Sequence, residues 1–89
     1  MKWNKHITTK IVEELEWGND SVISIEPICT SIEIFEVKLH FAEYSVMLGV
    51  FESSAEAKKF VKNGQNEINN IVKYLNKIKT EIRTLNLPL

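Results

Sequence analysis

The sequence has one cysteine (Cys29), one arginine (Arg83), three glycines and two prolines. A lone thiol excludes an intramolecular disulfide, so this is no disulfide-stapled secreted scaffold and a reducing compartment is expected. The glycines stand alone at Gly18, Gly49 and Gly64, so there is no Gly-rich phosphate loop. No apolar run approaches the ~18 residues that span a bilayer. The lysine-bearing start, residues 1–6, is followed by no apolar stretch, so no signal peptide and no membrane association are expected. Lysine outnumbers arginine ten to one, and Asn and Ile are abundant. All three residue types have AT-rich codons, which points to a low-GC source genome; the expected location is the cytoplasm, of a low-GC bacterial or host cell.

Catalytic signatures are also missing. There is no GxSxG elbow, and no CxxC or HxxxH spacing. His6 and His40 are far apart in the chain. The carboxylates of Glu13 and Glu14 are adjacent and would diverge on a helix. The expectation is a protein that is not an enzyme, with no catalytic residue, no cofactor and no metal site.

What is present is ordinary globular material: 89 residues, 44% hydrophobic and 26% charged. A compact chain of this mass exposes ~5,400 Å² against ~15,000 Å² unfolded, enough for one modest core. Residues 1–89 are therefore expected to form a single domain. Charge is unevenly spread. Residues 1–56 hold four lysines against ten acids, a net −6. Residues 57–89 hold six lysines and Arg83 against two acids, a net +5, and the halves together return the chain's −1.

The periodicity predicts an α+β fold in the order α-β-β-β-α. Trp3, Ile7, Ile11 and Leu15 recur every four residues, which reads as a short amphipathic helix over 1–18. Residues 22–51 alternate with period two and predict a three-stranded antiparallel meander, strands 22–28, 32–41 and 44–51. With a two-residue turn at Ala42-Glu43, Phe41 faces Tyr44, Leu39 faces Val46, Val37 faces Leu48 and Phe35 faces Val50. A three-residue loop before the middle strand would put Ile25 opposite Phe35 and Ile23 opposite Val37. Gly49 inside a strand implies close packing or a bulge. Ser53-Ser54-Ala55-Glu56 is a capping box, and behind it an apolar stripe predicts one long helix over 53–86, bent or broken at Gly64.

Two surfaces then look unfinished. A helix of ~48 Å would overhang strands of ~26 Å, yet Leu75, Ile78, Ile82 and Leu85 keep its stripe apolar. This predicts a homodimer through the C-terminal helices. On the outer face of the sheet, Ile28, Ile32, Ile34, Met47 and Phe51 would form an apolar corner suited to a partner protein. Glu26, Glu33, Glu36 and Glu43 would form an acidic surface. The expected function is a small protein–protein interaction module, most specifically a phage or mobile-element inhibitor that binds and blocks a host or anti-phage defence protein. The alternative is a nucleic-acid-binding accessory protein that uses Lys73, Lys77 and Arg83 on the basic helix.

Overall fold

The computed structural model describes residues 1–7, 10–18, 20–29 and 31–85, with side chains described through residue 79. The fold is α+β: five strands, then two helices. The strands are β1 (Asn4–Ile7), β2 (Ile11–Gly18), β3 (Ser21–Pro27), β4 (Phe35–Phe41) and β5 (Tyr44–Phe51); the helices are α1 (Ser54–Asn63) and α2 (Gln65–Leu85). The sheet is one antiparallel meander in the order β1-β2-β3-β4-β5.

The first correction concerns residues 1–18, where the helix expected is replaced by two paired antiparallel strands, β1 and β2. A spacing of four residues returns a side chain to one side of a strand as well as a helix, because four is an even number. The sheet decides between them: β2 has β3 to pair with, and Leu15 faces Ile23 in the core. Strand geometry also turns Glu13 inward, where Lys58 Nζ of α1 lies 2.9 Å from its Oε2. That ammonium also sits 5.9 Å from the ring centre of Trp3.

The second correction is of register. Ile23 faces Leu39 and Ile25 faces Val37, two residues from the expected pairing. The connection is longer than three residues, and Ile28 N–H donates to the Ile34 carbonyl across it. Thr30, at the centre of the expected loop, lies outside the described residues. A shift of two keeps every side chain on its face, so the expected inner set still holds. On β5 the expected pairs Phe41–Tyr44 and Leu39–Val46 are present. Val37 then pairs with Gly49, because a bulge inserts Leu48, and Phe35 pairs with Phe51. A side chain on Gly49 would begin 2.9 Å from the Phe51 ring, so this position needs glycine.

The core lies between the sheet and the helices. Leu15, Ile23, Ile25, Val37, Leu39 and Phe41 supply one layer; Ala57, Val61, Ile68 and Val72 supply the other. The Ser53 side chain accepts a hydrogen bond from Glu56 N–H at 3.1 Å and starts α1 as the capping box predicts. The third correction is that two helices stand where one was expected. They meet at Gly64, whose φ of −101° and ψ of 23° depart from helical values. Helical hydrogen bonds persist on both sides, from Gly64 N–H to Phe60 and from Ile68 N–H to Gly64. The interruption is local, and the chain does not double back: its longest dimension is 52 Å. The expected helix end at residue 86 lies outside the described residues.

Candidate functional site at one end of the sheet

The end of β1, the start of β2, the end of β3 and the start of β4 all fall at the same end of the sheet. Four isoleucines gather there: Ile7, Ile11, Ile28 and Ile32, each between 51% and 72% exposed. Ile7 pairs with Ile11 across the first hairpin. Ile11 and Ile32 line a groove of about 420 Å³ with Pro27, Phe35 and Cys29, and Lys5, Lys10 and Glu33 stand around it. Four large aliphatic side chains left half or more in water at one end is the arrangement of a docking surface, since each forgoes roughly half to three-quarters of the ~1.5–3 kcal/mol that full burial would give. A second groove of about 470 Å³ runs between the N-terminal segment and α2. There the Trp17 indole already donates to Asn69 Oδ1 at 2.7 Å.

Of the residues expected at an apolar corner, Ile28 and Ile32 belong to this end, and Ile34 is half-buried in the same connection. Met47 is exposed on the outer face of β5, away from them. Phe51 is a correction. The Leu48 bulge moves it to the inner face, where its ring packs 4.9 Å from that of Phe60. Ile7 and Ile11 were missed because a helix would have faced them inward with Leu15. Their β-branched surroundings, Thr8, Thr9 and Val12, were the available signal.

The expected acidic surface is not continuous. Glu26 lies 3.4 Å from both Lys10 Nζ and Lys38 Nζ, and Glu36 lies 2.9 Å from Lys38. Burial opposes ionisation of Glu26, but the Lys38 and Lys10 ammoniums outweigh it and hold the carboxyl below its ordinary value. Its hydrogen bond to Glu36, followed by the pull of Glu26, raises the Lys38 ammonium above its usual value. Glu33 and Glu43 are exposed at opposite ends of β4. The four acids therefore present no single face.

On the outer face His40 bridges two strands. Its Nε2 is 2.8 Å from Ser24 Oγ, and its Nδ1 is 2.8 Å from Ser45 Oγ. Ser24 is 2% exposed, so its hydroxyl is shut off from any substrate. This network ties β3, β4 and β5 together. Among the described residues no group of three or more potential ligands is placed to hold a metal. Cys29 is exposed in the groove, and hydrogen bonds from the Ser31 side chain and backbone lower its thiol pKa.

On α2, Leu75 packs against the core and Ile78 is half-buried. The side chains of Ile82, Leu85 and Arg83 lie outside those described. Lys73 and Lys77 are exposed. No helix among the described residues is long and apolar enough to cross a membrane. No family model matches the chain, and neither a curated protein nor a solved structure does.

Proposed function

We propose that this chain is a non-enzymatic protein-interaction module whose partner docks on the apolar end of the sheet. The observation that carries the reading is the groove that Ile11 and Ile32 line together at this end of the sheet, with Ile7 and Ile28 exposed at the same end. The groove is lined mainly by carbon, and its rim of Lys5, Lys10 and Glu33 carries both signs of charge. That pattern suits an apolar segment of another protein with a polar surround. A nucleic acid would ask instead for a uniformly basic rim. The most specific form of the reading is an inhibitor of phage or mobile-element type, acting by occupying a surface on a host or defence protein. Its support is the small single-domain chain, rich in Lys, Asn and Ile, without catalytic motifs. Self-association along the distal stripe of α2 completes the proposal.

The test compares the intact chain with an Ile11→Asp/Ile32→Asp variant as bait in a host extract. A partner retained by the first and lost by the second supports the reading, provided the two unfold at the same urea concentration. Cys29 gives an independent readout. Bound partner should slow alkylation of this groove thiol severalfold, and unchanged alkylation in the complex would place the partner elsewhere. Retention that survives the double substitution but falls steeply with salt and with Lys73→Glu/Lys77→Glu would favour nucleic acid instead.

A further inference from the structure

The two edges of the sheet are built differently. β1 is four residues long and carries Lys5, both devices that discourage strand addition. β5 is eight residues long, pairs only with β4 among the described residues, and contains no charged residue and no proline; its one protecting device is the bulge at Leu48. Three of its side chains, Tyr44, Met47 and Val50, are more than 40% exposed. Because the Ala42-Glu43 turn is closed by the Phe41–Tyr44 rung, alternation of the ladder spends the peptide groups of Tyr44 and Val46 on β4. Those of Ser45 and Met47 point out of the sheet. The bulge at Leu48 lets Met47 and Val50, three residues apart, share the outer face, opposite Lys38 and Glu36.

We infer that the β5 edge receives an extended segment of another protein as a sixth strand, a segment with apolar alternate residues flanked by Lys or Arg. The choice of occupant comes from charge. β5 is bracketed by Glu43 and Glu52, both exposed. Full-length antiparallel pairing of two copies would match Tyr44 with Phe51 and so set Glu43 against Glu52 at both ends. Like charges directly opposite are destabilising, and opposite charges are favourable by about 0.2–1 kcal/mol per pair. The same brackets that reject a second copy therefore select a strand with basic ends, while the unpaired peptide groups supply the affinity. Only the Phe51 end of β5 reaches the apolar end, where it pairs with Phe35; Tyr44, Ser45 and Met47 lie toward the other end of the strand.

The experiment uses the full chain, 15N-labelled, and two synthetic nonapeptides: Lys-Lys-Val-Thr-Val-Thr-Val-Lys-Lys and its twin with Glu in place of every Lys. The lysine peptide should shift the amides of Ser45, Met47 and Val50 and bind about tenfold more tightly than the twin. Raising salt to about 0.5 M should narrow that gap. Met47→Lys, a change at an exposed position, should weaken the lysine peptide severalfold and leave the rest of the spectrum in place. Equal affinity for both peptides, or shifts that spare residues 44–51, would overturn the assignment. So would residues 44–51 shifting with protein concentration alone, which would make the occupant a second copy.

Discussion

Several positions show how single residues hold this fold. Gly18 sits at φ +108° where β2 turns into β3, a conformation side chains resist, and Ser21 Oγ donates to its carbonyl. Gly18→Ala should therefore lower stability by about 1–2 kcal/mol in urea unfolding. The Lys58 ammonium is the counter-charge of Glu13 Oε2, an oxygen buried without an aligned hydrogen bond. Lys58→Met should cost about 1–3 kcal/mol by stranding that carboxylate. Lys58→Met/Glu13→Leu should recover most of the loss, because an apolar pair needs no solvation. Glu26 supplies the acid dependence. Its folded pKa lies below the unfolded one, so its contribution is fully present above the ordinary carboxylate range and vanishes as pH falls through the folded value. Glu26→Gln should flatten the acid limb of stability against pH. Lys38 has the opposite sign: its raised pKa gives a contribution that is lost only in strong base.

At the scale of elements, β5 divides structure from interaction. Phe51 is clamped against Phe60, whereas Ile32 stands in solvent at 56% exposure. Phe51→Asp should abolish cooperative unfolding, while Ile32→Asp should leave the urea midpoint almost unchanged. Circular dichroism on the two variants separates them. Gly49→Val should cost about 1–3 kcal/mol by pushing the Phe51 ring out of that clamp. How much of these elements was legible differs along the chain. The capping box announced α1, and the inner face of β3 and β4 followed from alternation alone. The Leu48 bulge was hinted at by Gly49, but its consequence for Phe51 was hidden: one inserted residue reverses the facing of everything after it. The first hairpin was illegible for a different reason, the ambiguity of a four-residue spacing.

The molecule as a whole is longer than its mass requires. Its radius of gyration is 14.8 Å, where a compact 89-residue domain has about 12 Å. Its accessible surface of 6557 Å² likewise exceeds the ~5,400 Å² expected of a compact chain. Both follow from a helical rod laid on a sheet of shorter strands. X-ray scattering should return that elongated shape. Ending the chain after Lys79 keeps Ile68, Val72 and Leu75 in the core and the Lys79 ammonium 5.6 Å from the centre of the Phe41 ring. The truncated chain should fold with nearly unchanged stability. If the distal stripe self-associates as proposed, light scattering should give a dimer for the full chain and a monomer for the truncated one; an unchanged mass would remove the stripe as a self-association surface.

By itself the sequence determined the α+β class, the meander of residues 22–51 and the helix start at Ser53. These are local properties, carried by periods, caps and motifs within a few residues of each other. Tertiary structure alone decided the rest. Whether residues 1–18 coil or extend depended on the free edge of β3, a neighbour distant from much of that segment. Which apolar residues stay in water depended on register and on one bulge. The apolar end of the sheet is therefore a product of assembly: Ile7, Ile11, Ile28 and Ile32 come to one end only once the strands are paired.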